Sequence, residues 1–181
     1  MEENGNRFYS YSFKRKEFFG EKFDSLIQYT FEVPCTNKEE SISYLLNFYR
    51  VNRLLITDVF PAMWEEKKDK CIRFTSHEGW NVNFRKISLT SAFIFMREFV
   101  AKNAQYVMVI SGSYAPDEEK GGVSRKLNLY YYFFKESAHE MGYRIVGIWE
   151  SNAFLLVPID CESRDNELIS EYLHFKERLR L

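Results

Sequence analysis

Cysteine is scarce in this chain: Cys35, Cys71 and Cys161 are the only three, far apart and odd in number, with no C-x-x-C pair. That argues against a disulfide framework and against a zinc site of familiar spacing, and leaves free thiols in a reducing cytoplasm as the expectation. Histidine is equally sparse, and His77, His139 and His174 have no sequence-level reason to converge on a metal. No apolar run reaches the length needed to span a bilayer. Charge of one sign is missing too: 25 basic residues face 26 acidic ones, so the broad positive field of a protein that lives on nucleic acid or anionic membrane is absent. The first residues, Met1 to Asn6, are acidic and polar where a secretory signal is basic and then apolar. They also carry the only composition in the chain that fits disorder. No internal repeat, linker or low-complexity tract breaks the sequence.

What the chain has in quantity is rings, with 17 Phe, 12 Tyr and 3 Trp, and 45% of all residues are hydrophobic. Aromatic side chains of that number serve first as packing in a core or on a sheet. A chain of 181 residues with this apolar content is expected to form one domain and to fold without staples.

The first half reads as strands. Tyr9, Tyr11 and Phe13 alternate with serines, and Ile27, Tyr29, Phe31 and Val33 alternate with Gln28, Thr30 and Glu32. This predicts strands with one apolar and one polar face, in a sheet with one side solvated or only lightly covered. Ser41 to Arg50 fits strand and helix alike, with strand preferred. Leu54, Ile56 and Val59 continue as strand up to Pro61, and Trp64 to Lys68 reads as a connection or short helix. A hairpin is expected from Ile72 and Phe74 through Ser76-His77-Glu78-Gly79 to Val82 and Phe84.

The second half changes period. Ala92, Phe95, Met96 and Phe99 predict a helix after Ser88 that stops at Asn103, and Tyr106 to Ile110 predicts a short buried strand. Leu127, Tyr130, Tyr131, Phe134, Ala138 and Met141 form a stripe with Ser124 as cap and Gly142 as stop. A hairpin over Arg144–Trp149 and Ala153–Pro158 around Glu150-Ser151-Asn152 follows, then a terminal helix striped by Leu168, Tyr172, Phe175 and Leu179. The fold class is therefore α+β: a mostly antiparallel sheet with helices on at least one face.

The candidate site lies between the Tyr106 to Ile110 strand and the Leu127 helix. Gly112, Ser113, Gly121, Gly122, Ser124, Arg125 and Lys126 combine glycines, a helix N-terminus and two cations, which suits a phosphate or carboxylate. The plainer reading makes the glycines turn residues and Ser124 a helix cap, and Asp117, Glu118 and Glu119 oppose an anion there. Neither G-x-x-x-x-G-K-[ST] nor G-x-G-x-x-G is present. G-x-S-x-G is also missing, since Ser111 and Ala115 flank the Gly112-Ser113 step where glycines are required. His139 reads as a surface residue, and the carboxylates Glu65, Glu66 and Asp69 read as a solvated face.

The strand, glycine-containing loop and helix ending at Met141-Gly142-Tyr143 resemble the acetyl-coenzyme A site of the GCN5-related acetyltransferases, which implies group transfer with an acyl-coenzyme A ligand. That family's loop reads [RQ]-x-x-G-x-[GA], whereas Glu118 and Val123 stand at its first and last positions here. Gly112-Ser113 and Lys126-Leu127-Asn128-Leu129-Tyr130 resemble uncharacterised bacterial domain families, mostly from the Bacteroidetes, in which a strand ends in Gly-Ser and the next helix opens with Arg-x-x-Leu-Tyr. Lysine replaces arginine here, the loop is longer, and the likeness covers about the last half of the chain.

With no catalytic motif intact, the leading expectation is a bacterial cytoplasmic interaction or regulatory module without catalysis, cofactor or metal, which meets a protein partner or a second copy of itself. A transferase-like enzyme taking a phosphate-containing ligand is the alternative. A nucleic-acid role through Arg125 and Lys126 is a third reading, weakened because Tyr130 and Tyr131 fall on the apolar stripe. An exposed sheet edge and the apolar end Leu179-Arg180-Leu181 are the features that favour a protein partner.

Overall fold

The computed structural model describes residues 7–18, 24–65, 81–102, 106–112, 114, 118–119 and 121–179. Its strands are β1 (Tyr11–Phe18), β2 (Ser25–Pro34), β3 (Ser41–Val51), β4 (Leu54–Pro61), β5 (Val107–Ser111), β6 (Tyr143–Ile148) and β7 (Ala153–Pro158). Its α-helices are α1 (Phe84–Glu98), α2 (Arg125–Ser137) and α3 (Asp165–Leu179). The strands form a mostly antiparallel seven-stranded sheet in the order β1-β2-β3-β4-β5-β7-β6, so the α+β class read from the sequence is the observed one. β4 and β5 run parallel, with Leu54 opposite Val107 and Ile56 opposite Val109. A parallel pair needs a long crossover, and α1 lies in the intervening chain.

Ser41 to Val51 is strand along its whole length. The start of α1 corrects the sequence reading. Phe84, expected in a hairpin strand, is the first residue of the helix, which begins before Ser88. The cause is local: Asn83 caps the helix, its side-chain oxygen accepting from the Lys86 N–H at 3.0 Å. An Asn cap satisfies a helix-start donor and outcompetes the weak period-two pattern of Val82 and Phe84. The other expected strand and turn of that hairpin, the Asn103 stop, Glu66 to Lys68 and residues Met1 to Asn6 lie outside the described residues, as do Arg180, Leu181 and the side chain of Leu179.

The chain divides into two compact units, one built from Met1–Lys16, Ile27–Asn47 and Asp58–Ala104, the other from Glu17–Leu26, Phe48–Thr57 and Gln105–Leu181. In the first, α1 buries Ile87, Thr90, Ser91, Ile94 and Phe95. Phe93 stacks on Phe8 and meets Tyr11 edge-on, Tyr9 stacks on Phe31, and Phe31 stacks on Tyr44. Phe31 is an odd residue of β2 and Tyr44 an even residue of β3, so the alternation along these strands faces those rings toward one side. Tyr11 donates to Glu98 Oε1 at 2.7 Å, and burial followed by that hydrogen bond pushes its pKa up to about 12.

The opposite face departs in part from the solvated or lightly covered side that the alternation predicts, because two of its polar residues are buried. Gln28 is fully buried and Asn47 nearly so. Gln28 Nε2 donates to Asn47 Oδ1 at 2.8 Å and to Glu65 Oε1 at 3.0 Å, while Gln28 Oε1 accepts from Arg15 Nε at 3.1 Å. Arg15 also donates to Glu65 at 2.6 Å, and Lys14 lies 3.3 Å from the same carboxylate. A buried amide is tolerable only when its donors and acceptors are matched, as they are here.

In the second unit β5 and β7 are covered on both faces. Leu54, Ile56, Val107, Val109, Leu155 and Val157 pack with Leu168, Tyr172 and Phe175 of α3. Phe154, one residue along β7 from Leu155, points the other way and meets Tyr131 and Phe134 of α2 edge-on. All six residues of β7 are buried, as expected of a strand covered on both sides.

Burial raises the Glu65 pKa, but hydrogen bonds from Gln28 and Lys14 and the charges of Lys14 and Arg15 outweigh it, so the carboxyl titrates below its ordinary value. A carboxylate held lower in the folded state stabilises the fold above its unfolded pKa of about 4.3 and loses that contribution as pH falls through the folded value. Thermal melting of wild type and Glu65→Gln at pH 7 and near pH 3.5 checks this. The wild type should lose more Tm on acidification than the variant, and equal losses would show that Glu65 is not coupled to folding. Glu98, lowered by Lys102 and Tyr11, supplies part of the acid sensitivity that remains.

Candidate functional site

β5 ends at Ser111, and Gly112 follows it into the space beside the start of α2. Ser124, fully buried, is the N-cap: its Oγ accepts from the Leu127 N–H at 3.2 Å, and its own carbonyl accepts from Asn128 at 2.9 Å. The third member of this joint is Asn152, which the sequence reading placed in a hairpin turn and not among the site residues. It adopts a left-handed backbone with φ 51, its carbonyl accepts from the Gly112 N–H at 2.8 Å, and its Oδ1 accepts from the Ser124 N–H at 2.8 Å. A β-carbon on Gly112 would collide with Ser124 Oγ and stand 2.8 Å from the Asn152 amide atoms, so glycine is required where strand, cap and turn meet. The signal for Asn152 was available: asparagine is among the few residues that tolerate left-handed turns.

The helix-start donors are met from within the chain. The Arg125 N–H donates to Glu118 Oε1 at 2.5 Å, and Glu118 Oε2 lies 3.9 Å from Arg125 Nε. A carboxylate of the protein therefore occupies the position that the sequence reading offered to a phosphate, as the helix dipole favours. Gly121 and Gly122 are exposed, with nothing within 4 Å of where a β-carbon would stand. Only Gly121, at φ +127, is required by its backbone. The Gly122 carbonyl accepts from the Tyr114 hydroxyl at 2.5 Å. Lys126 lies with its ammonium 5.9 Å from the Tyr130 ring. The structure thus joins Gly112 and Ser124 in one joint and Arg125 to Glu118, and leaves Gly121 and Gly122 on an exposed loop. Ser113 lies outside the described residues.

A second surface of the same unit adjoins this joint. Trp149 closes β6, and its indole rests on Gly147, where any β-carbon would strike the ring. Tyr131 meets that indole edge-on at 5.3 Å between centroids, yet 42% of Trp149 remains exposed. On the outer side of α2, Tyr132 is exposed, with the Lys135 ammonium 4.9 Å from its ring centre, and His139 is exposed as expected.

The register of β6 fixes which of its peptide groups are used. Ile145 pairs with Leu156, Val146 with Leu155 and Gly147 with Phe154, without a bulge. The Ile159 N–H donates to the Gly142 carbonyl at 2.9 Å, so hydrogen-bonded pairs fall on Arg144, Val146 and Ile148. The peptide groups of Tyr143, Ile145 and Gly147 point away from β7. Tyr143 confirms this, since its N–H donates instead to the Ala138 carbonyl at 2.8 Å. β6 ends the strand order, so Ile145 and Gly147 present N–H and C=O groups to an open edge among the described residues.

Comparison with known proteins returns no matching family model, no matching curated protein and no matching solved structure. Among the described residues no helix is long and apolar enough to cross a membrane, and no group of three or more His, Cys, Asp or Glu side chains is placed to hold a metal ion.

The joint makes a stability prediction. Asn152→Ala removes the acceptor of a buried N–H and places a β-carbon without side-chain compensation in a left-handed turn. It should cost about 2–4 kcal/mol in urea denaturation. Ser124→Ala, which loses only the cap, should cost about 1 kcal/mol. The reverse order would show that Asn152 does not hold the joint together.

Proposed function

We propose that this protein is a non-catalytic interaction module of the bacterial cytoplasm that engages an extended segment of a protein partner by adding it as a strand along β6. The observation that carries the reading is the open edge at Ile145 and Gly147 beside the half-exposed Trp149. Unpaired peptide groups in a row are a template for another strand, and an aromatic anchor beside them supplies specificity. The contrast with β1, at the other end of the strand order, supports it. β1 carries Lys14, Arg15 and Lys16 in succession, the charged composition that discourages strand addition, whereas β6 has one charged residue, Arg144, already paired with Asp165. Free Cys35 and Cys161 accord with a reducing compartment.

Selection of a displayed random-peptide library on the immobilised protein tests this. Binding peptides should slow hydrogen exchange at the Ile145 and Gly147 amides. Ile145→Lys, which places a charge on the edge, should weaken them about tenfold or more, as should Ile145→Pro, which removes an N–H the fold does not use. Peptides that bind both variants as tightly as wild type would overturn the reading.

A second reading, group transfer with a phosphate-containing ligand such as acyl-coenzyme A, is favoured by one observation. β4 and β5 are parallel, and the start of α2, with Arg125 and Lys126, follows the carboxyl end of β5, the kind of place where open sheets of parallel strands bind ligands. Under this reading Glu118 must vacate the helix start. Coenzyme A should then raise the Tm of Glu118→Gln more than that of wild type, and Arg125→Ala should abolish the shift. No shift in any of the three proteins would exclude it.

A further inference from the structure

The open edge of β6 is complementary to itself. We propose that the strand it receives is β6 of a second copy of this chain, the two running antiparallel about a twofold axis at Val146. This rests on the strand-addition reading above and names its occupant.

The register follows from which peptide groups are free. In an antiparallel pair, residues whose N–H and C=O face the neighbour must lie opposite one another. On the open side of β6 these are Ile145 and Gly147, because the Tyr143 N–H is already donated to the Ala138 carbonyl. An axis at Ile145 would set Tyr143 against the second copy's Gly147 and leave that glycine's carbonyl without a donor, a buried acceptor of the kind that costs about 1–3 kcal/mol. An axis at Val146 sets Ile145 against the second copy's Gly147, and Gly147 against its Ile145. Both pairs then exchange both hydrogen bonds, and Tyr143 is not used.

The side chains agree with that axis. Val146 meets the second copy's Val146 in a non-hydrogen-bonded pair, where side chains are closest and two β-branched residues pack well. Ile145 and Gly147 share the face on which the Trp149 indole covers Gly147. Each Ile145 therefore comes to lie beside the second copy's Trp149, and Gly147, lacking a side chain, opposes the isoleucine without crowding. Arg144 brings no like charge opposite itself, since it faces Ile148 in this register and its guanidinium is held by Asp165. An isologous contact of this kind closes at two copies and removes the edge that would otherwise recruit further strands.

Sedimentation and thiol cross-linking of the full chain test the proposal. Wild type should be a dimer, and Ile145→Lys, with far-UV circular dichroism unchanged, should raise its Kd about tenfold or more. Val146→Cys should form a disulfide-linked dimer on mild oxidation, because Cα atoms of a non-hydrogen-bonded pair lie about 4.5 Å apart, within disulfide range. Ile145→Cys should not, since its equivalent lies on the diagonal at about 7–8 Å. A dimer that withstands Ile145→Lys, or Ile145→Cys cross-linking as readily as Val146→Cys, overturns the second-copy register. A monomeric wild type overturns it too. If that monomer still binds selected peptides in an Ile145-dependent way, strand addition stands with a different partner, and if it binds none, both readings fall.

Discussion

β7 is the strand on which the second unit depends, because it is hydrogen-bonded along both sides and a strand can serve two neighbours only by alternation. The Gly112 N–H reaches the Asn152 carbonyl, and the Ile159 N–H reaches the Gly142 carbonyl. With the two registers, this assigns the peptide groups of Phe154 and Leu156 to β5 and those of Ala153, Leu155 and Val157 to β6. Nothing in that assignment can slip by one residue. A slip would turn Phe154 away from Tyr131 and Phe134, and it would turn Leu155 and Val157 away from the side chains of α3, exchanging every buried contact on both faces at once. The open peptide groups of β6 follow from packing several residues away.

Asn152 carries the same constraint into the turn. Two residues must be close there, Gly112 at the end of β5 and Ser124 at the start of α2, and the hairpin turn between β6 and β7 supplies the acceptor for each of their N–H groups. Its left-handed backbone brings the carbonyl and the side-chain oxygen to bear on different elements, which a β-branched residue would do only at a cost of about 1–2 kcal/mol or more. Among the described residues Asn152 Nδ2 is buried with no hydrogen-bond partner, so the joint there is satisfied on its acceptor side only. Glu118 completes the helix start. The donors that make a helix N-terminus attractive to an anion are thus the ones the chain most needs to satisfy for itself, and the two uses compete for the same N–H groups.

Much of this fold was legible before any coordinates. The stripe through Leu127, Phe134 and Ala138, the Ser124 cap, the hairpin around Glu150-Ser151-Asn152, the β3 strand and the terminal helix are all local patterns, and local patterns survive folding when packing agrees with them. Phe84 was misplaced because one Asn cap, a single hydrogen bond at 3.0 Å, outweighs two apolar residues at strand spacing. Gln28 was misread for the opposite reason. Its partners Arg15, Asn47 and Glu65 are remote in sequence, and no pattern within β2 reveals that a polar residue there will be buried and matched. The candidate site was legible as a list of residue types but not as an arrangement. Gly121 and Gly122 looked like Gly112, yet only Gly112 has neighbours that forbid a side chain.

The two outermost strands show how composition and geometry divide the work of controlling edges. β1 places Lys14 and Arg15 on Glu65, so its charges both discourage another strand and stabilise a buried network. Arg144, paired with Asp165, is the single charge on β6. The groups that flank it are Gly147, kept small so that Trp149 can lie on the strand, and Ile145, whose peptide faces outward while its side chain stays half-buried. A glycine within a strand forfeits packing and adds backbone entropy, a loss of about 0.5–1 kcal/mol relative to alanine. Here that loss holds an aromatic ring, still 42% exposed, over an open edge. Covering the ring would bury apolar area, and charging the edge would discourage another strand; neither is seen at β6 among the described residues.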